Sequence, residues 1–155
     1  GGNDGVVSLG KSDARFKDLT LSGGVYLGGT GSANKLDDYE EGNWTPTAVN
    51  FSISSVTHAT YVKIGKQVTV QLWLNSANGS GSAGGASISG LPFNSVTYSV
   101  GSINISIANT NLNRLHPRSI SSSSGIQLLK NNDEPVAGSA IDAGHIILSL
   151  TYTAS

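Results

Sequence analysis

Apolar and polar residues alternate most strictly in Val68-Thr-Val-Gln-Leu-Trp-Leu74. In an extended chain this puts Val68, Val70, Leu72 and Leu74 on one face and Thr69, Gln71 and Trp73 on the other. The same period of two recurs near the C-terminus, where Ile146, Leu148, Leu150 and Tyr152 alternate with Ile147, Ser149, Thr151 and Thr153. Ile103, Ile105 and Ile107 alternate likewise with Asn104 and Ser106. These runs predict strands near residues 59–64, 67–75, 86–89, 96–108, 120–129 and 146–153, with turn-forming clusters at 75–85 and 130–135. Several strands with one apolar face each point to an all-β fold, a jelly-roll-like β-sandwich.

The first 44 residues carry another pattern: Val7-Ser-Leu9, Leu19-Thr-Leu21 and Val25-Tyr-Leu27, each followed by a small residue. A strand this short cannot bury its own apolar face, and its edges stay unpaired. Both defects vanish if copies of the chain wrap round a common axis and pair with one another. Charge draws the same line. Eleven of the nineteen charged residues fall in positions 1–44, and none lies between Gln67 and Asn113. We therefore expect two units: residues 1–44, a short intertwined shaft segment and junction, and residues 45–155, a β-sandwich head.

Composition narrows the function classes. The chain has 155 residues, 24 of them Ser and 20 Gly, which is too rich in small residues for a helical bundle. A net charge of −1 without a basic patch argues against nucleic acid as a partner. Cysteine is absent, which removes disulfides, thiolate catalysis and zinc-thiolate sites together. No apolar run approaches the roughly 20 residues of a membrane span, so no membrane insertion is expected. The glycine-led start suggests the last 155 residues of something longer.

Gly5-Val-Val-Ser-Leu-Gly10-Lys11-Ser12 satisfies the nucleotide-binding pattern G-x-x-x-x-G-K-[ST]. That chemistry needs a buried strand before the loop and a helix after it. Only four residues precede Gly5, and Gly23-Gly24 would break a helix begun at Ser12, so the match is read as chance. Asp37, Asp38, Glu40 and Glu41 could supply a cation site or a carboxylate pair, but they lack calcium-loop spacing and the separation across a cleft that glycosidases use. A solvated or inter-subunit hydrogen-bonded turn is the preferred reading, with Tyr39 and Trp44 as a plug between shaft and head. His58, His116 and His145 show no ligand spacing, and no serine is visibly paired with a base. No catalytic group, metal or cofactor is expected. Trp73 stands out as an indole on the polar face of its strand. It reads as a subunit contact, which we favour, or as a platform for a sugar ring. Gln71, Tyr61, Tyr98, Asn78 and Asn111 are the other candidate sugar-contacting residues.

One stretch carries a likeness. Arg15-Phe16, Leu19, Leu21-Ser22-Gly23-Gly24 and then Leu36-Asp-Asp-Tyr-Glu-Glu-Gly-Asn-Trp-Thr-Pro46 closely resemble a junction of bacteriophage tail fibres and tail spikes. The likeness covers roughly the first third of the chain. Beyond it, Tyr61-Val-Lys-Ile-Gly-Lys-Gln-Val68 and Gly90-Leu-Pro-Phe93 look like the same family's distal domain. The resemblance implies a homotrimer and a virion protein, assembled in the host cytoplasm and exposed outside the cell. It would continue into the remainder of a tail fibre. Its implied function is receptor binding that attaches the virion to a host cell-surface polysaccharide or lipopolysaccharide. The alternatives are a purely structural trimerisation and folding head or, less favoured, a fragment of a glycan-cleaving tail spike.

Overall fold

A computed structural model describes residues 5–79, 82–107 and 115–155. The chain divides into two compact units, Gly1–Asp37 and Asp38–Ser155. The described residues are all-β and antiparallel, apart from single 3-10 turns at Ser32–Asn34 and Gly138–Ala140.

In the first unit β1 (Val25–Tyr26) pairs with β2 (Lys35–Leu36). No described residue of this unit is buried, and Val7, Leu9, Phe16 and Leu19 are between 63% and 81% exposed. The apolar-x-Leu repeats thus find no cover within their own unit. After the nucleotide-like motif, Lys11 and Ala14 exchange two backbone hydrogen bonds of 3.1 Å, closing a turn where that chemistry needs a helix.

The second unit contains β3 (Tyr39–Asn43), β4 (Thr47–Val49), β5 (Phe51–Ser52), β6 (Ser55–Ile64), β7 (Gln67–Gly79), β8 (Ser87–Ser89), β9 (Ser102–Ile107), β10 (Leu115–Ser119), β11 (Gly125–Lys130) and β12 (Asp142–Thr153). One sheet runs β3-β6-β7-β12-β9, with β5 also on β7, and the other β10-β11-β8-β4. Val68, Val70, Leu72 and Leu74 are at most 1% exposed, and Ile146, Leu148, Leu150 and Tyr152 at most 3%. They meet Ile88, Ile126 and Leu128 of the smaller sheet in one core. Each such burial contributes about 1.5–3 kcal/mol of transfer free energy. Gly65, at φ 57°, makes the two-residue turn from β6 to β7 that starts this register.

Three local expectations change. The acidic run is not a turn: the two units divide within it, after Asp37, and Tyr39–Asn43 forms an edge strand on β6. Its like charges are tolerable because alternation splits them and each finds a partner. Asp38 pairs with Lys63, Glu40 accepts from the Tyr61 hydroxyl and Glu41 from the Tyr39 hydroxyl. Those bonds hold both tyrosine pKa values above the ordinary range, since each phenol proton is shared with a carboxylate. Tyr39 is 59% exposed, whereas Trp44 joins the core at 7%. In the 96–108 stretch the strand starts only at Ser102. Ser95 and Ser119, both fully buried, hydrogen-bond to the Thr97 carbonyl, and Ser119 also receives the Ser99 N–H, which holds the chain in a loop. In the 120–129 stretch the strand starts only at Gly125, which pairs with β8, and pairing with β10 starts at Ile126, because the serines before it turn, Ser122 having φ 56°.

Candidate functional site

The large sheet turns one face to the core, and the other bears Trp73. Its neighbours follow from register: His58 on β6 lies opposite Trp73, as does Ile147 on β12, and Asn104 on β9 lies opposite Ile147. The next row reads Thr60, Gln71, Ser149 and Ser102. Two bulges shape the row. The register of β6 shifts between Val56 and His58, leaving Thr57 as the extra residue; an unbroken register would put Thr57 and not His58 opposite Trp73. Gly144 is extra in β12 relative to β9 and brings His145 beside Ser106.

Of these, His58, Gln71, Trp73, Ser102, Asn104, Ile147 and Ser149 line an open groove of about 440 Å³. Trp73 is 40% exposed and Ile147 37%, so the floor is apolar but reachable. The His145 ring meets Trp73 edge-on, with centroids 6.4 Å apart at 65°. His145 Nε2 lies 3.3 Å from Asn104 Oδ1, and His58 Nε2 3.0 Å from Thr60 Oγ1. Each imidazole thus has a polar partner, one of them the groove-lining Asn104. Gln71, Ser102 and Ser149 have no side-chain hydrogen bond among the described residues, which leaves amide and hydroxyl groups free at the rim. No Lys, Arg, Asp or Glu lines the groove. Aromatic floor, neutral polar rim and absent charge suit a ligand with apolar C–H faces and many hydroxyls.

The structure brings together only part of the candidate set. Trp73 and Gln71 share the groove. Tyr61 is on the core-facing side of β6, its ring edge-on to Phe93 at 5.7 Å and its hydroxyl donated to Glu40. Tyr98 projects from the loop before β9, with the Arg118 guanidinium 4.8 Å from its ring centroid. Asn78 sits near the end of β7, opposite Ser52 and Asp142. Asn111 lies outside the described residues. Sequence reasoning missed His58, His145, Asn104 and Ile147 as neighbours of Trp73. Only the pairing register, including the Thr57 bulge, unites them. His116 pairs instead with Asp133 at 3.2 Å on the other sheet. Among the described residues no three His, Asp or Glu side chains gather as metal ligands.

Compared with protein-family models, curated proteins and solved structures, the chain matches none of them.

Proposed function

We propose that this chain is the tip of a homotrimeric bacteriophage tail fibre, with a jelly-roll-like β-sandwich head that attaches the virion to a host surface glycan. The carrying observation is the uncharged groove around Trp73, on a rigid sheet whose other face is the core. The exposed apolar repeats of the first unit support assembly, because Val7, Leu9 and Phe16 need cover that copies of the chain can supply. The number three rests on the resemblance of residues 36–46 to fibre junctions. Three weak sites acting together raise avidity by ~10²–10⁴ over a single site.

The test is Trp73→Ala, read by light scattering, thermal melting and a glycan array. A chain of three times the monomer mass, with unchanged melting but binding reduced about tenfold or more per site, supports the reading. A stable monomer sinks the fibre assembly. A weakened oligomer with normal glycan binding favours the structural head. That second reading has its own support: Tyr39, Val62 and Ile64, 59%, 39% and 54% exposed, lie in register on the same sheet face as Trp73 and could pack against a second copy.

A further inference from the structure

Arg118 is the second unit's one half-buried cation with no carboxylate facing it among the described residues. Lys63 pairs with Asp38, Lys130 with Glu134 and His116 with Asp133. Arg118 has only the Gln127 amide oxygen, 3.3 Å from one terminal nitrogen, and the face of Tyr98. Its Nε is buried without an acceptor. A guanidinium offers five donors and cannot shed its charge, so one amide bond and one ring leave it under-compensated. Its surroundings supply no remedy, since the nearby 95–101 loop carries no charged residue.

That loop is also tied down by hydrogen bonds. The Thr97 carbonyl accepts from Ser95 Oγ at 2.6 Å and from Ser119 Oγ at 2.9 Å, while Ser99 N–H donates to Ser119 Oγ at 2.8 Å. Gly101 N–H bonds the Pro117 carbonyl at 2.9 Å, which ties the loop's end to the strand that carries Arg118. So pinned, the loop presents Val96, Tyr98 and Val100 outward, 44%, 59% and 63% exposed. An apolar stripe with one uncompensated cation beside it is preorganised for a ligand that is apolar on one side and anionic at one end.

We propose that Tyr98 and Arg118 form a second saccharide subsite, specific for an acidic sugar. The sugar's carboxylate pairs with the guanidinium, and its C–H face lies along the Val96–Tyr98–Val100 stripe. This subsite differs in chemistry from the uncharged Trp73 groove and does not use its residues. It rests on the glycan-binding reading only in its choice of a sugar as the bearer of the carboxylate.

The experiment titrates the full chain by NMR with methyl β-glucuronide, methyl β-glucoside and inorganic phosphate. We expect saturable shifts with the glucuronide alone, and about a tenfold or greater loss of affinity in Arg118→Gln. Tyr98→Phe should retain binding and Tyr98→Ala lose it. Trp73→Ala should leave it intact, which separates failure of this subsite from failure of the groove. Equal response to the glucoside, or to phosphate, would overturn an acidic-sugar site. So would unchanged glucuronide affinity in a folded Arg118→Gln. If Arg118→Gln instead lowers the oligomer mass in light scattering, the guanidinium serves a contact between copies and the proposal fails.

Discussion

Leu19-Thr-Leu21 and Leu72-Trp-Leu74 have the same spacing of apolar residues, yet Leu19 is 63% exposed and Leu72 1%. Spacing alone does not bury a side chain. In the second unit β7 runs thirteen residues and has β6 and β12 hydrogen-bonded along its sides, with the smaller sheet's Ile88, Ile126 and Leu128 facing it. In the first unit the one described strand pair is two residues long on each side and meets no second layer. The contrast separates a region that makes its own core from one whose described apolar residues stay exposed.

The largest break in that comparison should come from truncating equivalent leucines. Leu72→Ala should cost about 2–5 kcal/mol, because a core enclosed on all sides collapses only partly onto the vacated volume. Denaturant unfolding of the second unit measures it. Leu19→Ala should leave that transition unmoved and act, if the fibre reading holds, only on the oligomer's dissociation. An equal loss of second-unit stability in both variants would show that the repeats belong to its core after all.

Legibility followed the same division. The inward faces of β7 and β12 could be read directly, since seven or eight residues of strict alternation admit one face for burial. Strand β3 could not. Four carboxylates in five positions argue against a strand until two residues more than twenty positions away answer them, Lys63 by pairing with Asp38 and Tyr61 by donating a hydrogen bond to Glu40. Strand β10 was hidden by Pro117, which a sheet's outer strand tolerates because its missing N–H is not needed by β11. At the groove, Trp73 and Gln71 were visible as misplaced on an otherwise ordinary pattern. His58 was not, because a single inserted residue at Thr57 decides which way it points. Local period finds faces; bulges and ion pairs, set by distant residues, do not show in it.

A smaller contrast concerns ion pairs of one chemical type. Lys63 is 8% exposed, with its ammonium 5.3 Å from the Phe93 ring centroid, and Asp38 is its carboxylate. Lys11 and Asp13 pair at 3.2 Å with both side chains at least 70% exposed. Asp38→Asn should cost about 1–3 kcal/mol, because it strands a largely buried cation. Asp13→Asn should cost under about 0.5 kcal/mol and respond to salt. Urea melts of the two variants at low and high ionic strength make the comparison. Similar small losses would mean that Lys63 reaches water more easily than its burial indicates.

The smallest expected effect uses tyrosine and pH. Tyr152 is 2% exposed, its hydroxyl donates to the Phe93 carbonyl at 3.0 Å, and burial pushes its pKa up to about 12. The folded state therefore holds the phenol proton more tightly than the unfolded chain, whose tyrosines ionise near pH 10. Linkage sets the sign. Stability from the neutral phenol is fully present below about pH 10 and is lost as pH rises toward about 12, since only the unfolded state gains by ionising in that window. Tyr152→Phe should cost about 1 kcal/mol at pH 7, for the lost bond and the carbonyl left without it. Between pH 10 and 12 the variant should then lose less stability than the parent, so their difference narrows or reverses. Tyr26→Phe, at a residue 51% exposed in the first unit, should leave the second unit's unfolding transition unmoved at pH 7. If Tyr152→Phe stayed parallel to the parent up to pH 12, the phenol would be meeting water in the folded state, and the dry core that distinguishes the second unit would not extend to the end of β12.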